Sequence, residues 1–295
     1  MSRRQVMRGL AALGAAIGLS GCAPGTARTP ERDAGVPAPI HIGYGEHPSQ
    51  FGQLHLPSGE RTCPVVVVLH GGFWAQRYGL DLGTPLAADL ANRGVAAWNL
   101  EYRRLGGGGG WPGTFIDVAR GVDALRTMAG EHRLDLDHVV TLGHSAGGQL
   151  AVWAAGRHRL PAEAPGADPD VRPVGAVSQA GVLDLVRAAR DGLGGMAVPS
   201  LLGGVPDTVP ERYSWASPTE LVPIGVPVSC VHGTSDTIVP ISQSESYKQA
   251  ADRAGDRAEV IRVPGGHLEQ IDPSTPAWAA TRDAVLADGR RGHGR

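Results

Sequence analysis

The sequence is poor in lysine, cysteine and aromatic residues. Of its 295 residues only Lys248 is a lysine, three are cysteines, and 5% are aromatic. The 27 basic and 29 acidic residues give a net charge of −2, so the chain lacks the concentrated positive charge that nucleic-acid binding requires. Three cysteines are too few for a disulfide scaffold, and the sequence contains neither a C-x-x-C nor an H-E-x-x-H motif. We therefore predict no nucleic-acid partner and no metal site.

The first apolar run of the chain is too short to cross a membrane. Three arginines precede an uncharged run at residues 9–19, which is about half of the roughly 20 residues that a transmembrane helix needs. This pattern is typical of a signal peptide, which we predict at residues 1–21. Residues 2–7 resemble a twin-arginine export signal, and residues 19–22 resemble a bacterial lipobox, whose cysteine is lipidated.

Cys22 is therefore expected to anchor the protein by lipid to the outer face of a bacterial cell membrane. Secretion after ordinary signal cleavage is the alternative. Residues 22–39 are rich in proline and poor in large apolar side chains, so we predict a tether there. A single globular domain is predicted at residues 40–287, followed by a flexible tail at residues 288–295.

Apolar, strand-like runs alternate with segments of helical periodicity from Cys63 onward. Strands are predicted at residues 64–69, 95–100, 139–142, 174–178, 226–231 and 258–263. Helices are predicted at residues 80–93, from Pro112 to Leu125, and at 146–156, 242–254 and 276–286. Strands without polar alternation are covered on both faces, and strand–helix–strand order gives parallel pairing. The pattern predicts an α/β fold with a doubly wound, mostly parallel sheet, whose active site lies beyond the carboxyl ends of the strands.

A G-x-S-x-G sequence occupies residues 143–147, between a predicted strand and a predicted helix. In this position the motif is typical of a nucleophile elbow, in which the serine lies on a strained turn that only small neighbours permit. Ser145 is therefore the candidate nucleophile. Its hydroxyl is weakly nucleophilic at neutral pH, so it needs a histidine base and a carboxylate that fixes the tautomer of that histidine.

Two polar residues that follow the last two predicted strands can supply this base and acid. They are Asp236 and His267. Because the carboxyl ends of parallel strands lie at the same edge of a sheet, both residues can reach Ser145. The chain order serine, aspartate, histidine is the one that hydrolases with a nucleophile elbow use. Asp184 is an alternative acid, although it follows an earlier strand. The other ten histidines are interpreted as surface or structural groups.

A glycine-rich turn at residues 70–74 follows the first predicted strand. Its glycines allow main-chain N–H groups to point into a cavity, where they can bind a developing oxyanion. We predict an oxyanion hole formed by the amides of Gly72, Phe73 and Ala146. His70 is expected to hold this turn rather than take part in the chemistry.

Four motifs together resemble the α/β-hydrolase superfamily, and most of all its carboxylesterase and kynurenine-formamidase-like branch. They are H-G-G-F-W at residues 70–74, G-H-S-A-G-G-Q-L-A at 143–151, H-G-T-S-D at 232–236 and G-G-H at 265–267. The likeness extends over about residues 40–286. It implies a nucleophile at Ser145, a general base and acid at His267, an orienting carboxylate at Asp236, and the oxyanion hole named above.

The expected function is that of a serine hydrolase that cleaves carboxylic esters through an acyl-enzyme, without a metal or an organic cofactor. The expected partner is a small-molecule ester, and short esters are favoured because the segment at residues 193–227 is long enough only for a small lid. An amide hydrolase of the arylformamidase or aminopeptidase type is the alternative, with an amide substrate. A lipoprotein that uses the fold only for binding is a lesser alternative. Cys63 and Cys230 are predicted to be unpaired thiols.

Overall fold

The computed structural model of the protein describes residues 37–290. The predicted signal peptide, Cys22 and most of the predicted tether lie outside the described residues, as do residues 291–295. Among residues 37–290, no helix is both long enough and apolar enough to cross a membrane.

Eight strands are present in this part of the chain. They are β1 (Ile40–Gly43), β2 (Phe51–His55), β3 (Cys63–Leu69), β4 (Ala96–Leu100), β5 (Leu134–His144), β6 (Gly175–Gln179), β7 (Val228–Gly233) and β8 (Ala258–Val263). The α-helices between and after them are α1 (Thr84–Asn92), α2 (Gly113–Asp123), α3 (Leu125–His132), α4 (Ala146–Gly156), α5 (Leu185–Arg190), α6 (Ala197–Leu202), α7 (Pro210–Ala216), α8 (Pro218–Leu221), α9 (Ser242–Ala254) and α10 (Pro276–Arg290).

The strands form one sheet in the order β1-β2-β4-β3-β5-β6-β7-β8. β1 and β2 run antiparallel to their neighbours, and every other neighbouring pair is parallel, so the predicted doubly wound, mostly parallel sheet is confirmed. Leu69 pairs with Leu100 on one side and with Gly143 on the other, so β3, β4 and β5 end at nearly the same level. The strand order switches sides at β3, and this switch opens a crevice at the carboxyl edge.

The sheet is buried on both faces because β3 sends alternate side chains into two apolar cores. Val65 and Val67 pack in one core, together with side chains of α2 and α4. Val66 and Val68 pack in the other core, with side chains of α1 and α10. Burying a valine or leucine contributes about 1.5–3 kcal/mol, so both faces of β3 favour apolar residues. This is why its sequence shows no polar alternation.

Some elements differ from the sequence prediction. The predicted helix at residues 80–93 is divided into a 3₁₀ helix at Leu80–Leu82 and α1, with Gly83 between them. A side chain at Gly83 would place its Cβ 2.6 Å from Oδ1 of Asn99, so this position packs tightly against β4. The last helix continues to Arg290, and residues 288–290 of the predicted tail are therefore helical.

The segment predicted to form a small lid contains three short helices, α6, α7 and α8. β5 begins at Leu134, five residues before the predicted strand start at 139. β1 and β2, which occupy one edge of the sheet, have no counterpart among the predicted strands. The other predicted strands and helices agree with the structure within a few residues.

Candidate active site

Ser145 lies on a sharp turn between β5 and α4. Its backbone has φ 56° and ψ −118°, a combination that residues other than glycine rarely adopt. The amide of Ser145 donates a hydrogen bond to the carbonyl oxygen of Gln179 on β6 at 2.8 Å, and this bond ties the turn to the sheet. Ser145 therefore lies at the carboxyl edge of the sheet, directly after the last residue of β5.

The two glycines that flank Ser145 in the motif have no room for a side chain. A Cβ at Gly143 would lie 2.0 Å from the carbonyl oxygen of Gly147. A Cβ at Gly147 would lie 2.0 Å from the carbonyl oxygen of Leu69, at the end of β3. Both contacts are closer than atoms can approach, so the turn requires glycine at these positions. This is the steric reason for the G-x-S-x-G pattern.

His267 and Asp236 are in direct contact, although 31 residues separate them. Nδ1 of His267 lies 2.7 Å from Oδ2 of Asp236, and both side chains are buried. Oδ1 of Asp236 accepts hydrogen bonds from the amides of Ile238 and Val239 at 2.8 and 2.9 Å. Burial tends to raise the pKa of Asp236, but the hydrogen bond from His267 and those from the two amides outweigh it and lower the pKa.

Asp184, the alternative acid, has a different role. Its side chain caps the N-terminus of α5 by accepting a hydrogen bond from the amide of Arg187 at 2.9 Å. Its own amide donates to Oε1 of Gln243 at 2.8 Å. The carboxylate that contacts His267 is therefore that of Asp236.

His144, one of the ten histidines predicted to be surface or structural groups, lies directly against His267. Their ring centroids are 4.4 Å apart, and Nε2 of His144 lies 2.9 Å from the carbonyl oxygen of His267. Because His144 precedes Ser145, this contact brings His267 beside the turn. Burial, followed by the charge of His267, lowers the pKa of His144 to about 3. The only signal in the sequence was its place beside the candidate nucleophile.

Oγ of Ser145 and Nε2 of His267 form no hydrogen bond, either with each other or with another group of residues 37–290. Both atoms are therefore available to a substrate. A hydrogen bond between a nucleophile and its base is often long or poorly aligned before substrate binds and shortens in the complex.

The turn after β3 has an unusual backbone. Gly72, Phe73 and Trp74 follow one another with φ values of 107°, 52° and 54°. Gly72 packs against the ring of Tyr78, since a Cβ there would lie 2.3 Å from a ring carbon. Within the part of the chain that the structure describes, the amides of Gly72, Phe73 and Ala146 donate no hydrogen bond. Three unpartnered N–H groups on the turns that flank Ser145 are suited to binding an anion.

His70 is held in a buried cluster behind this turn. Nε2 of His70 lies 3.0 Å from Oε1 of Glu101, and its ring stacks on Tyr102 with centroids 4.5 Å apart. Arg104 also donates a hydrogen bond to Glu101. Burial tends to raise the pKa of Glu101, but the hydrogen bonds and charges of His70 and Arg104 outweigh it and lower the pKa to about 2.

Sequence reasoning missed Glu101 and Arg104, although a charged residue directly after a buried strand was a signal for a paired charge. Oε2 of Glu101 also accepts a hydrogen bond from the amide of Leu80 at 3.1 Å, and this bond links the cluster to the segment before α1. Among residues 37–290, no group of three or more histidine, cysteine, aspartate or glutamate side chains could hold a metal ion. Cys63 and Cys230 are free, buried thiols.

A mostly parallel sheet that carries a serine on a strained strand-to-helix turn defines the α/β-hydrolase fold. Solved structures share it at low sequence identity. A truncated carbohydrate esterase from gut microbiota superposes with a TM-score of 0.76 at 21% identity, covering 89% of this chain and 99% of that one. Esterase B from Lactobacillus rhamnosis superposes with a TM-score of 0.74 at 20% identity, covering 88% and 87%. The predicted α/β-hydrolase fold is thus confirmed.

The model of the BD-FAE family matches residues 53–250, and the chain belongs to that family. It is similar to the probable carboxylic ester hydrolase LipM of Mycobacterium tuberculosis, with 31% identity over 70% of this chain and 50% of that protein. It is also similar to esterase LipQ of the same organism, with 29% identity over 66% of this chain and 47% of that protein. The chain spans about half the length of these curated relatives.

Proposed function

We propose that the protein is a serine hydrolase of carboxylic esters, with Ser145 as nucleophile, His267 as general base and acid, and Asp236 as the carboxylate that orients His267. The main support is the 2.7 Å contact between His267 and Asp236 at the edge where Ser145 lies on its strained turn. The names of LipM and LipQ, both esterases, agree with this reaction.

In the acylation step, Oγ of Ser145 attacks the carbonyl carbon of the ester while its proton moves to Nε2 of His267. The carbonyl π electrons move to oxygen, giving a tetrahedral oxyanion. When this intermediate collapses, the bond to the alcohol oxygen breaks and that oxygen takes the proton from His267. An alcohol leaves, and the acyl group remains on Ser145 as an ester.

In the deacylation step, water attacks the acyl carbon and gives one proton to Nε2 of His267. Collapse of the second tetrahedral intermediate expels Oγ of Ser145, which takes this proton back, and a carboxylic acid is released. The net reaction converts one ester and one water into an acid and an alcohol. Asp236 accepts a hydrogen bond from Nδ1 of His267 throughout and stabilises the imidazolium that forms in both steps.

The oxyanion is stabilised by the amides of Gly72, Phe73 and Ala146, which donate to no other group among residues 37–290. Donors that are already oriented need no reorganisation when the charge develops, and removing one such donor typically costs about 100- to 1000-fold in turnover. The tight packing of Gly72 on Tyr78 keeps this turn in the required conformation.

The proposed substrates are short-chain carboxylic esters, because the segment between β6 and β7 supplies only the short helices α5 to α8 as a cover. An amide substrate is the second candidate, since the resemblance of the H-G-G-F-W turn at residues 70–74 extends to formamidases. The two reactions use the same side chains and differ in the leaving group that His267 must protonate.

The experiment compares wild type with Ser145→Ala on p-nitrophenyl acetate, p-nitrophenyl butyrate and an N-formyl or aminoacyl anilide. We expect turnover of the acetate and butyrate by wild type, and its loss in Ser145→Ala. Ser246→Ala, on α9, is the matched control and should retain activity. Ester turnover that persists in Ser145→Ala would rule out this nucleophile, and preferred cleavage of the anilide would favour the amide hydrolase.

We also propose that the chain is exported and anchored to the outer face of the cell membrane through a lipid on Cys22. The support is the arginine-rich, apolar and small-residue pattern of residues 1–22. Expression in a bacterial host should place wild type in the membrane fraction and Cys22→Ser in the soluble fraction. Equal distribution of the two proteins would favour ordinary secretion instead.

A further inference from the structure

His267 belongs to a loop that must reach far across the sheet to meet Ser145. It follows β8, which is the outermost strand, whereas Ser145 follows β5, and β6 and β7 lie between them. With neighbouring strands about 4.8 Å apart, the loop crosses about 14 Å. Placing an imidazole accurately at the end of such a loop requires a contact on the side of β5.

His144 supplies this contact. It is the last residue of β5, and its Nε2 lies 2.9 Å from the carbonyl oxygen of His267. A carbonyl oxygen can only accept a hydrogen bond, so His144 carries its proton on Nε2 and donates it. Because burial and the charge of His267 lower the pKa of His144 to about 3, the ring stays neutral near pH 7.

The remaining nitrogen of His144 is an acceptor that has no partner among the described residues. Nδ1 of His144 is buried, as is Oε1 of Gln179, which also lacks a partner there. A ring that donates through Nε2 carries no hydrogen on Nδ1, so this tautomer leaves no buried N–H of His144 unpaired.

We infer that His144 is a positioning residue, which fixes the backbone of residue 267 and thereby aims the imidazole of His267 at Ser145. This inference rests on the proposed function. It assigns a role to the variable position of the G-x-S-x-G motif in this chain. A displacement of about 1 Å in a reacting group can lower turnover about 100-fold, so the hydrogen bond acts on kcat and leaves substrate binding nearly unchanged.

The experiment compares His144→Leu, which removes the donor, with His144→Gln, whose amide N–H reaches about as far as Nε2. We expect kcat to fall about 10- to 100-fold in His144→Leu, with KM changed less than about threefold, and His144→Gln to restore most of kcat. His55→Leu is the matched control, since His55 is a buried histidine at the end of β2, three strands away from β5 in the sheet.

His144→Asn extends the comparison, because its amide is polar but too short to reach the carbonyl oxygen of His267. If His144→Leu does not fold, as judged by circular dichroism, the Gln and Asn variants carry the same test. Equal kcat values in the Gln and Asn variants, or a kcat in His144→Leu within about threefold of wild type, would overturn the inference. Ester turnover that persists in Ser145→Ala would instead show that the proposed function had failed.

Discussion

Two histidine–carboxylate pairs lie at the same edge of the sheet. His70 and Glu101 follow β3 and β4, and their atoms approach to 3.0 Å. His267 and Asp236 follow β8 and β7, and their atoms approach to 2.7 Å. In residue type, burial and separation the two pairs are nearly the same. The proposed function nevertheless assigns the chemistry to only one of them.

The difference lies in the second nitrogen of each imidazole. Nδ1 of His70 lies 2.9 Å from the carbonyl oxygen of Gly71, so both of its ring nitrogens are engaged. His267 uses Nδ1 for Asp236, and its Nε2 has no partner among residues 37–290. A histidine can transfer protons only through a nitrogen that a substrate can reach. A buried histidine–carboxylate pair alone therefore indicates a structural role, whereas a pair whose imidazole keeps its other nitrogen free, at the edge where Ser145 lies, indicates a base.

The largest expected effect comes from replacing the two histidines in turn. His267→Ala should lower kcat for p-nitrophenyl acetate by about 10⁴- to 10⁶-fold, because Ser145 loses its base. Its melting temperature should also fall, because Asp236 loses a buried hydrogen-bond partner. His70→Ala should lower the melting temperature by several degrees as well but reduce kcat far less, because His70 contributes only packing and a hydrogen bond. Comparable losses of kcat in both variants would contradict the division of roles.

The fold follows from the sequence where the strands lie inside the sheet. β3 and β4 show apolar patterns whose predicted bounds match the observed ones within a residue. β1 is an edge strand and is mostly exposed, and β2 beside it is only partly buried, so their sequences carry little signal. The break of the predicted helix at residues 80–93 depends on the packing of Gly83 against Asn99, a contact that no local pattern reveals.

The candidate site was predictable where backbone geometry dictates the residue type. Gly143 and Gly147 are required sterically, and because of this requirement the motif around Ser145 can be recognised in the sequence. The choice of Asp236 rested on chain order, and the structure places it against His267. The role of His144 could not be predicted, because its contact joins two residues that are 123 positions apart in the chain.

The second largest expected effect concerns Asp236, the carboxylate that pairs with His267. Asp236→Asn keeps the shape of the side chain but no longer fixes the Nδ1–H tautomer of His267, so kcat should fall about 10³- to 10⁴-fold. The KM for p-nitrophenyl acetate should change little. Asp184→Asn, on the cap of α5, is the matched control and should retain activity. A loss in the control that equals the loss in Asp236→Asn would return Asp184 to consideration as the acid.

A smaller effect, on stability, tests the pair formed by His70 and Glu101. Glu101→Ala leaves the buried guanidinium of Arg104 without its carboxylate, and the free energy of unfolding should fall by about 3–5 kcal/mol in urea titrations. Glu245→Ala removes an exposed carboxylate that pairs with Arg262 at 2.7 Å and should cost less than about 1 kcal/mol. Equal losses in the two variants would mean that the cluster around Glu101 does not hold the turn after β3.

The smallest effect is on the pH dependence of the free energy of unfolding, to which His144 and Glu101 contribute in different pH ranges. The pKa of His144 is about 3 in the folded protein and 6.5 as its ordinary value, so below pH 6.5 the unfolded chain takes up a proton that the folded chain does not. Its contribution to stability is therefore complete above pH 6.5 and declines on acidification by up to about 1.4 kcal/mol per pH unit.

Glu101 acts in a lower window. Its pKa is about 2 when folded and 4.5 ordinarily, so its contribution is complete above pH 4.5 and is lost as the pH falls toward 2. Urea titrations between pH 6.5 and 4.5 should therefore show a shallower loss of stability in His144→Gln than in wild type, and an unchanged slope in Glu101→Ala. Buried His55 and His232 have lowered pKa values and stay in both variants, so the slope should decrease without vanishing. If His144→Gln leaves the slope unchanged, His144 takes up a proton in the folded wild-type protein. Its ring could then not remain the neutral donor that holds residue 267.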